Sequence, residues 1–254
     1  MRIAILIPAR WASSRYPGKP LVALRGPDGA KTLIRRTWEA ALAVPGIATV
    51  AVATDDARIA EHAAAFGARV VMTPADCANG TARVAEAAAQ VPADLYINLQ
   101  GDAPLTPPWF VTALIAAMAD PAVAVATPVV LADASARAHL RADRAAGRVG
   151  ATTAVVDRAG RALYFSKEVL PFGDDAVPVL HHVGLYGYRP AALAAYRGWP
   201  AGALETAEGL EQLRFLENGW PVACVPVETR GRMFWELNNP VDVARIEAAL
   251  GWQG

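Results

Sequence analysis

The 254-residue sequence has few cysteines, no excess of charge of either sign and no long apolar run. Its two cysteines, Cys77 and Cys224, lie far apart, so a disulfide-rich secreted scaffold is not expected and a reduced, cytoplasmic chain is. Lys plus Arg number 24, as do Asp plus Glu, which indicates neither a nucleic-acid nor a membrane partner. No apolar run reaches the ~20 residues that a membrane-spanning helix needs.

What the sequence does contain is an alternation of strand-like and helix-like segments. Residues 2–9 form a nearly continuous apolar run, which is typical of a strand covered on both faces. The order continues with a helix at 32–44, a strand at 47–55, a helix at 56–67, a strand at 68–73, a helix at 81–91 and a strand at 95–102. This order predicts a doubly wound α/β fold with a mixed, mostly parallel sheet, which binds ligands at the carboxyl ends of its strands.

The second half of the chain has a less regular pattern. It predicts strands at 123–130, 150–157, 181–189 and 221–228, and helices at 204–219 and 240–251. No repeat or low-complexity linker interrupts it. Residues 1–254 are therefore expected to form a single domain, with an embedded section at about 125–190 that contributes a dimer surface and part of a substrate lid.

The loop after the first strand carries three cations, Arg10, Arg15 and Lys19. It matches neither the Walker A pattern nor the glycine-rich dinucleotide fingerprint. Its position after a buried strand nevertheless predicts phosphate binding, for which arginine supplies a planar fork and lysine a mobile charge. A solvated basic loop is the alternative.

Asp102 and Thr81 are two further candidates, and each has a structural alternative. Asp102 follows a predicted strand and could ligate Mg²⁺, or it could cap a helix that starts near Pro107. Thr81 follows Gly80 at a predicted helix start, where free amides and the hydroxyl could contact a polar ligand. Judged by itself, this segment favours an ordinary N-cap for Thr81.

Two groups of polar residues in the second half of the chain lie within predicted strand or helix segments that also contain apolar residues. His182, Tyr186 and Tyr188 alternate along a predicted strand and should share one face, where His182 could bind a carboxylate or hydroxyls, or be purely structural. Glu211 and Gln212 could bind sugar hydroxyls, or lie on an exposed helix face.

Seven motifs occur in a fixed order: "IPARWASSRYPGKPL", "VATDD", "NGTARVAE", "NLQGDAP", "LYFSK", "HHVGLYGYR" and "LEQLRFLENG". Together they resemble the motifs of the 3-deoxy-manno-octulosonate (KDO) cytidylyltransferase family over nearly the whole chain. The resemblance implies a Rossmann-like fold of the nucleotide-diphospho-sugar transferase type. It also implies a Mg²⁺-dependent homodimer that converts CTP and an acid, KDO or a related sugar acid, into the CMP-acid and pyrophosphate.

The resemblance also implies roles for individual residues. The catalytic set would be Arg10, Arg15, Lys19 and Asp102. The nucleotide would contact Pro8, Ala9, Arg10, Thr54, Asp55, Gly80, Thr81, Arg83 and Gln100. The acid would contact Gln100, Lys167, His182, Tyr186, Glu211 and Gln212. Asp102 and Asn238 would hold Mg²⁺.

The sequence departs from the family pattern at several positions. Ala103 replaces a glutamate, Asn238 replaces the aspartate expected as second metal ligand, and Lys167 and His181 replace arginines. Glu236 could supply the missing carboxylate. These departures leave three alternatives open: a cytidylyltransferase for a small phosphonate or phosphonocarboxylate, a catalytically impaired CTP-binding protein, and a sugar transferase of the same architecture.

Overall fold

The computed structural model describes residues 1–13, 16–147, 151–173 and 177–252. The strands are β1 (Ile3–Ala9), β2 (Ala23–Gly26), β3 (Gly29–Thr32), β4 (Thr49–Thr54), β5 (Arg69–Met72), β6 (Leu95–Leu99), β7 (Val125–Leu131), β8 (Thr152–Val156), β9 (Ala162–Ser166), β10 (Leu180–His182), β11 (Leu185–Tyr188) and β12 (Val222–Pro226). The helices are α1 (Leu33–Leu42), α2 (Ala57–Ala65), α3 (Gly80–Ala88), α4 (Pro108–Ala117), α5 (Ala134–Ala145), α6 (Pro190–Gly198), α7 (Ala203–Glu208), α8 (Leu213–Glu217) and α9 (Asp242–Ala249).

Within these ranges, ten strands form one mixed sheet in the order β5-β4-β1-β6-β11-β7-β10-β8-β9, with β12 beside β7. The pairs β5–β4, β4–β1 and β1–β6 are parallel, as is β7–β12. The pairs that join β6 to β11 and β11 to β7 are antiparallel. The predicted mixed α/β sheet is confirmed, and its parallel half is the part that the β-α-β order indicated.

Strand β1 shows why the sheet is covered on both faces. Successive side chains of a strand point to opposite faces. Ile3, Ile5 and Ile7 accordingly join one buried apolar cluster, whereas Ala4 and Leu6 join the other. Both faces of this strand are buried, which accounts for its uninterrupted apolar sequence.

In the second half of the chain, two predicted elements are each divided in two, and α5, β9 and α6 have no predicted counterpart. The helix expected at 204–219 is two helices, because α7 ends at Gly209, whose φ of 61° is left-handed. The strand expected at 181–189 is also two, β10 and β11, which lie on opposite sides of β7; β10 also pairs with β8, and β11 with β6. The strand predicted from residue 150 is β8, and residue 150 itself lies outside the described residues.

None of the helices in the described ranges combines the length and the apolar character needed to cross a membrane. The longest, α5, has 12 residues.

Candidate active site

A cavity of about 820 Å³ lies at the carboxyl ends of β1 and β6. This is the edge of a doubly wound sheet at which ligands are expected. The cavity is lined by these predicted site residues: Pro8, Ala9, Arg10, Lys19, Gly80, Arg83, Gln100, Asp102, Lys167, His182, Tyr186, Glu211, Gln212 and Asn238. The structure thus brings residues from distant parts of the sequence into one chamber, which we call the central cavity.

Three predicted residues, Thr54, Asp55 and Thr81, are not part of the cavity lining. The Thr54 hydroxyl is buried and accepts a hydrogen bond from the Asp56 amide at 3.2 Å. Asp55 lies 3.4 Å from the Nη2 atom of Arg83, which does line the cavity. Asp55 therefore contacts a residue of the cavity wall, Arg83, without lining the cavity itself. Arg15, another predicted residue, lies outside the described part of the chain.

Thr81 does not cap helix α3, so the N-cap interpretation of this residue is wrong. The cap is Asn79, whose Oδ1 accepts a hydrogen bond from the Ala82 amide at 2.8 Å. The Thr81 hydroxyl instead lies 2.8 Å from the Tyr188 hydroxyl in the buried core. Only Gly80 and Arg83 of this first turn reach the cavity.

Lys19 is held in place within the cavity wall. Its Nζ atom makes an ion pair with Asp102 and donates a hydrogen bond to the Leu237 carbonyl at 3.0 Å. The Lys19 side chain is only 15% exposed, so the solvated-loop alternative is wrong for this residue. Arg10 is exposed and lines the same cavity.

Asp102 follows β6 and does not cap the next helix. The N-cap of α4 is Pro107, with no side-chain hydrogen bond, so the capping alternative for Asp102 is wrong. Gly101 allows the close approach that brings Asp102 beside the opening loop, because a Cβ atom there would lie 2.5 Å from the Pro8 carbonyl oxygen. The carboxylate is thereby placed next to the ammonium group of Lys19.

His182 and Tyr186 form part of a ring stack on one wall of the cavity. Their ring centroids lie 5.5 Å apart, and those of Tyr186 and Tyr188 lie 5.7 Å apart. Burial, with a smaller contribution from the neighbouring His181, lowers the pKa of His182 to about 3. Burial also lowers the pKa of His181 to about 4. Both imidazoles are therefore neutral at pH 7, and His182 Nε2 lies within hydrogen-bond distance of the Thr127 hydroxyl, at 2.9 Å.

Glu211 and Gln212 lie between α7 and α8, so the exposed-helix alternative is wrong for both. Glu211 Oε2 accepts a hydrogen bond from the Thr81 amide at 3.1 Å, and burial raises the pKa of this carboxyl group. Gln212 Oε1 accepts from the Tyr186 hydroxyl at 3.2 Å. Gln212 Nε2 is buried without a hydrogen-bond partner in the described structure, so it is a spare donor in the cavity wall.

Lys167 lies at the end of β9 and is positioned through its main chain. Its amide donates to Glu208 Oε2 at 2.9 Å, while the hydroxyl of Ser166 donates to Glu208 Oε1 at 2.6 Å. Lys167 adds a second lysine to the cavity lining, from a strand far from the opening loop in sequence.

The oxygen-bearing residues of the cavity fit a magnesium ion that binds together with a phosphate ligand. Asp102, Glu236 and Asn238 all line it. The described residues contain no group of three or more His, Cys, Asp or Glu side chains that could hold a metal by themselves. Mg²⁺ is usually bound by one or two carboxylates plus substrate phosphates and water, and a preformed cage is not required.

Several residues of the cavity wall are not among the site residues predicted from the sequence. These are Asn79, Glu205, Arg214, Phe234 and Trp235. Asn79 could have been found from its N-cap position before the predicted helix. Phe234 and Trp235 lie in a segment without regular structure, and no periodic pattern marks them.

Comparisons with known proteins identify the family of the chain. The profile of the Cytidylyltransferase family matches residues 4–229. The 3-deoxy-manno-octulosonate cytidylyltransferase of Maricaulis maris is 43% identical and covers 100% of this chain and 99% of its own; that of Escherichia coli is 40% identical over 98% and 96%. A CMP:2-keto-3-deoxy-manno-octonic acid synthetase solved in complex with CTP superposes with a TM-score of 0.86 at 36% identity and covers 99% of both chains. The chain therefore belongs to the cytidylyltransferase family and is a nucleotidyltransferase.

Proposed function

We propose that the protein transfers the cytidylyl group of CTP to KDO and releases pyrophosphate. The observation that carries this proposal is the central cavity. It places Arg10, Lys19 and Asp102 in one chamber with the neutral polar wall of His182 and Gln212. The names of the most similar relatives and the CTP complex of the similar synthetase support the same reaction.

In the proposed reaction, a hydroxyl oxygen of the acid attacks the α-phosphorus of CTP in line and loses its proton. A new P–O bond forms, and the bond from the α-phosphorus to the bridging oxygen breaks, so that pyrophosphate leaves. Catalysis of this kind depends mainly on positioning and on neutralising charge. Arg10 and Lys19 would bind the triphosphate, and Lys19 would neutralise charge on the leaving pyrophosphate.

We further propose that Asp102 holds Mg²⁺, with Asn238 or Glu236 as a second ligand. The bound ion would neutralise phosphate charge. In support, Asp102 and Lys19 form an ion pair and both line the cavity, so a carboxylate for a metal and a cation for a phosphate are adjacent there. Asn238 can offer an oxygen but adds no negative charge, which predicts a weaker metal site than two aspartates would form.

The nucleotide is proposed to lie against Pro8, Ala9, Gly80, Arg83 and Gln100, all of which line the cavity. Thr54, Asp55 and Thr81 would contribute to this pocket only through the residues they hold. Asp55, for example, pairs with Arg83.

The acid is proposed to bind to His182, Tyr186, Gln212 and Lys167, with Glu211 and Gln100 beside them on the acceptor side of the cavity. The first three offer uncharged hydrogen-bonding groups, which suit sugar hydroxyls, and Lys167 offers a cation for a carboxylate. This combination suits a polyhydroxylated acid. The comparisons give no support to the phosphonate-specific enzyme, the impaired CTP-binding protein or the sugar transferase.

We also propose a homodimer, formed through the section at 125–190. Three large apolar side chains of this section are exposed: Leu131 and Leu163 at 62% and Phe172 at 100%. Exposed apolar groups of this size favour burial against another chain. A cytoplasmic location stays a prediction from the sequence.

Pyrophosphate release from CTP and Mg²⁺ tests the proposed reaction, measured with KDO, with related sugar acids and with small phosphonates in parallel. We expect release with KDO and little with the phosphonates. Release with phosphonates alone, or bound CTP without turnover of any acid, would contradict the proposal.

A further inference from the structure

A buried ion pair joins helices α7 and α8 beside the central cavity. Arg214 Nε donates to Glu205 Oε2 at 2.6 Å, and Arg214 Nη2 donates to Glu205 Oε1 at 2.7 Å. The guanidinium group also donates to the Trp199 carbonyl at 3.2 Å and lies 4.1 Å from the centre of the Tyr196 ring. Because the fork is fully engaged with one carboxylate, its charge is already neutralised inside the protein.

The same pair contacts the helix that forms the nucleotide side of the cavity. Glu205 Oε1 lies 3.3 Å from Asn79 Nδ2, which also donates to the Tyr196 hydroxyl at 2.9 Å. Asn79 in turn caps α3, whose first turn contributes Gly80 to the cavity. The ion pair is therefore anchored on a fixed part of the fold.

On its other side, the pair encloses the segment 209–212. The Leu210 amide donates to the Glu205 carbonyl at 3.2 Å, and the Arg214 amide donates to the Glu211 carbonyl at 3.4 Å. The separation of α7 from α8 consequently determines where Glu211 and Gln212 point. These two side chains contact the Thr81 amide and the Tyr186 hydroxyl at the cavity wall.

We infer that Arg214 is a positioning residue, which acts through Glu205 to hold Glu211 and Gln212 in the geometry that binds the acid. The inference rests on the proposed function, because it assigns these two residues to the acceptor side. Arg214 contacts neither CTP nor the reacting atoms in this account. Its removal should therefore weaken binding of the acid more than binding of CTP.

The variant Arg214→Ala tests whether binding of the acid is weakened more than binding of CTP. We expect the KM for KDO to rise ~10-fold or more, because a small displacement of substrate-binding groups weakens binding to about this extent. The KM for CTP should change by less than about threefold. Arg214→Lys keeps the charge but not the planar fork, so it should remain impaired. Arg197→Ala is the matched control, because Arg197 pairs with Glu86 at the surface between α6 and α3, at 2.8 Å and away from the cavity. Its kinetic constants should equal those of the wild type.

Chemical rescue separates positioning from a general loss of folding. Arg214 lines the cavity, so guanidinium ions added at millimolar concentration can reach the space that Arg214→Ala opens. We expect guanidinium to lower the KM for KDO of Arg214→Ala toward the wild-type value. Methylammonium, which lacks the fork, should not.

Amide hydrogen exchange tests the role of Arg214 without the acceptor substrate. Peptides covering residues 203–217 should exchange faster in Arg214→Ala than in the wild type, and guanidinium should slow them again. An unchanged KM for KDO would overturn the inference, as would a loss of kcat at constant KM without rescue. If the wild type does not use KDO, the proposed function fails, and unchanged exchange in this segment would then overturn the inference separately.

Discussion

Removing the ammonium group of Lys19 should slow cytidylyl transfer by ~10²- to ~10³-fold. In the structure its Nζ atom is fixed by Asp102 and by the Leu237 carbonyl, in a cavity wall where the side chain is 15% exposed. A preorganised donor that faces developing charge contributes ~2.7–4 kcal/mol to transition-state stabilisation. Each ~1.4 kcal/mol corresponds to a factor of ten in rate, which gives the expected loss.

The assay is pyrophosphate release from Lys19→Ala at saturating CTP, Mg²⁺ and KDO. Lys31→Ala is a matched control, because Lys31 also forms ion pairs, with Asp28 at 2.6 Å and Glu39 at 2.8 Å, but does not line the cavity. The control should keep the wild-type rate. A Lys19→Ala rate within about threefold of wild type would remove Lys19 from the mechanism and refute the reasoning.

Three further predictions concern the metal and the pH. Asp102→Asn should abolish Mg²⁺-dependent turnover in a titration with the ion, and retained activity would place the metal elsewhere. Asn238→Asp adds a carboxylate to the cavity, so half-maximal activity should occur at lower Mg²⁺; an unchanged requirement would exclude Asn238 from the metal site. Burial lowers the pKa of His181 to about 4 and that of His182 to about 3, so the unfolded chain binds protons below pH ~6.5 that the folded chain excludes. The free energy of unfolding, measured with urea, should therefore be highest above pH ~6.5 and fall toward pH 4. Each histidine should contribute about 1.4 kcal/mol per pH unit to this fall. The fall should be less steep in His181→Gln, which lacks one of the two groups. Equal pH dependence in the variant and the wild type would contradict this assignment.

The sequence predicts most elements of the first half of the fold, because these have strong local patterns, but it does not predict the hairpin of β2 and β3. Strand β1 is apolar throughout since it is buried on both faces, and α2 begins at Asp56, whose side chain accepts a hydrogen bond from the Arg58 amide at 2.9 Å. An uninterrupted apolar run and a capping residue can both be recognised from residues that are adjacent in sequence.

The second half depends on contacts that are distant in sequence. Leucine spacing over 204–219 indicates one helix, but Gly209 ends α7 and the Glu205–Arg214 pair fixes the break. Similarly, β10 and β11 are separate strands because they lie on opposite sides of β7, where β10 also pairs with β8 and β11 with β6. Neither partner can be identified from the local pattern.

For the site, the motifs identify the residues but not the direction of every side chain. Lys19, Asp102 and Gln212 line the cavity as their motifs suggest. Thr81 lies in an equally recognisable motif, yet its hydroxyl faces Tyr188 in the core. A motif position can matter through its backbone, and only the folded structure distinguishes that role from a side-chain contact.

A crystal structure of the protein with CTP and Mg²⁺ would show where the triphosphate and the ion bind. We expect the triphosphate against Arg10 and Lys19, the ion on Asp102 and the cytidine beside the first turn of α3. A nucleotide bound outside this cavity, with Lys19 still paired to Asp102, would contradict this expectation.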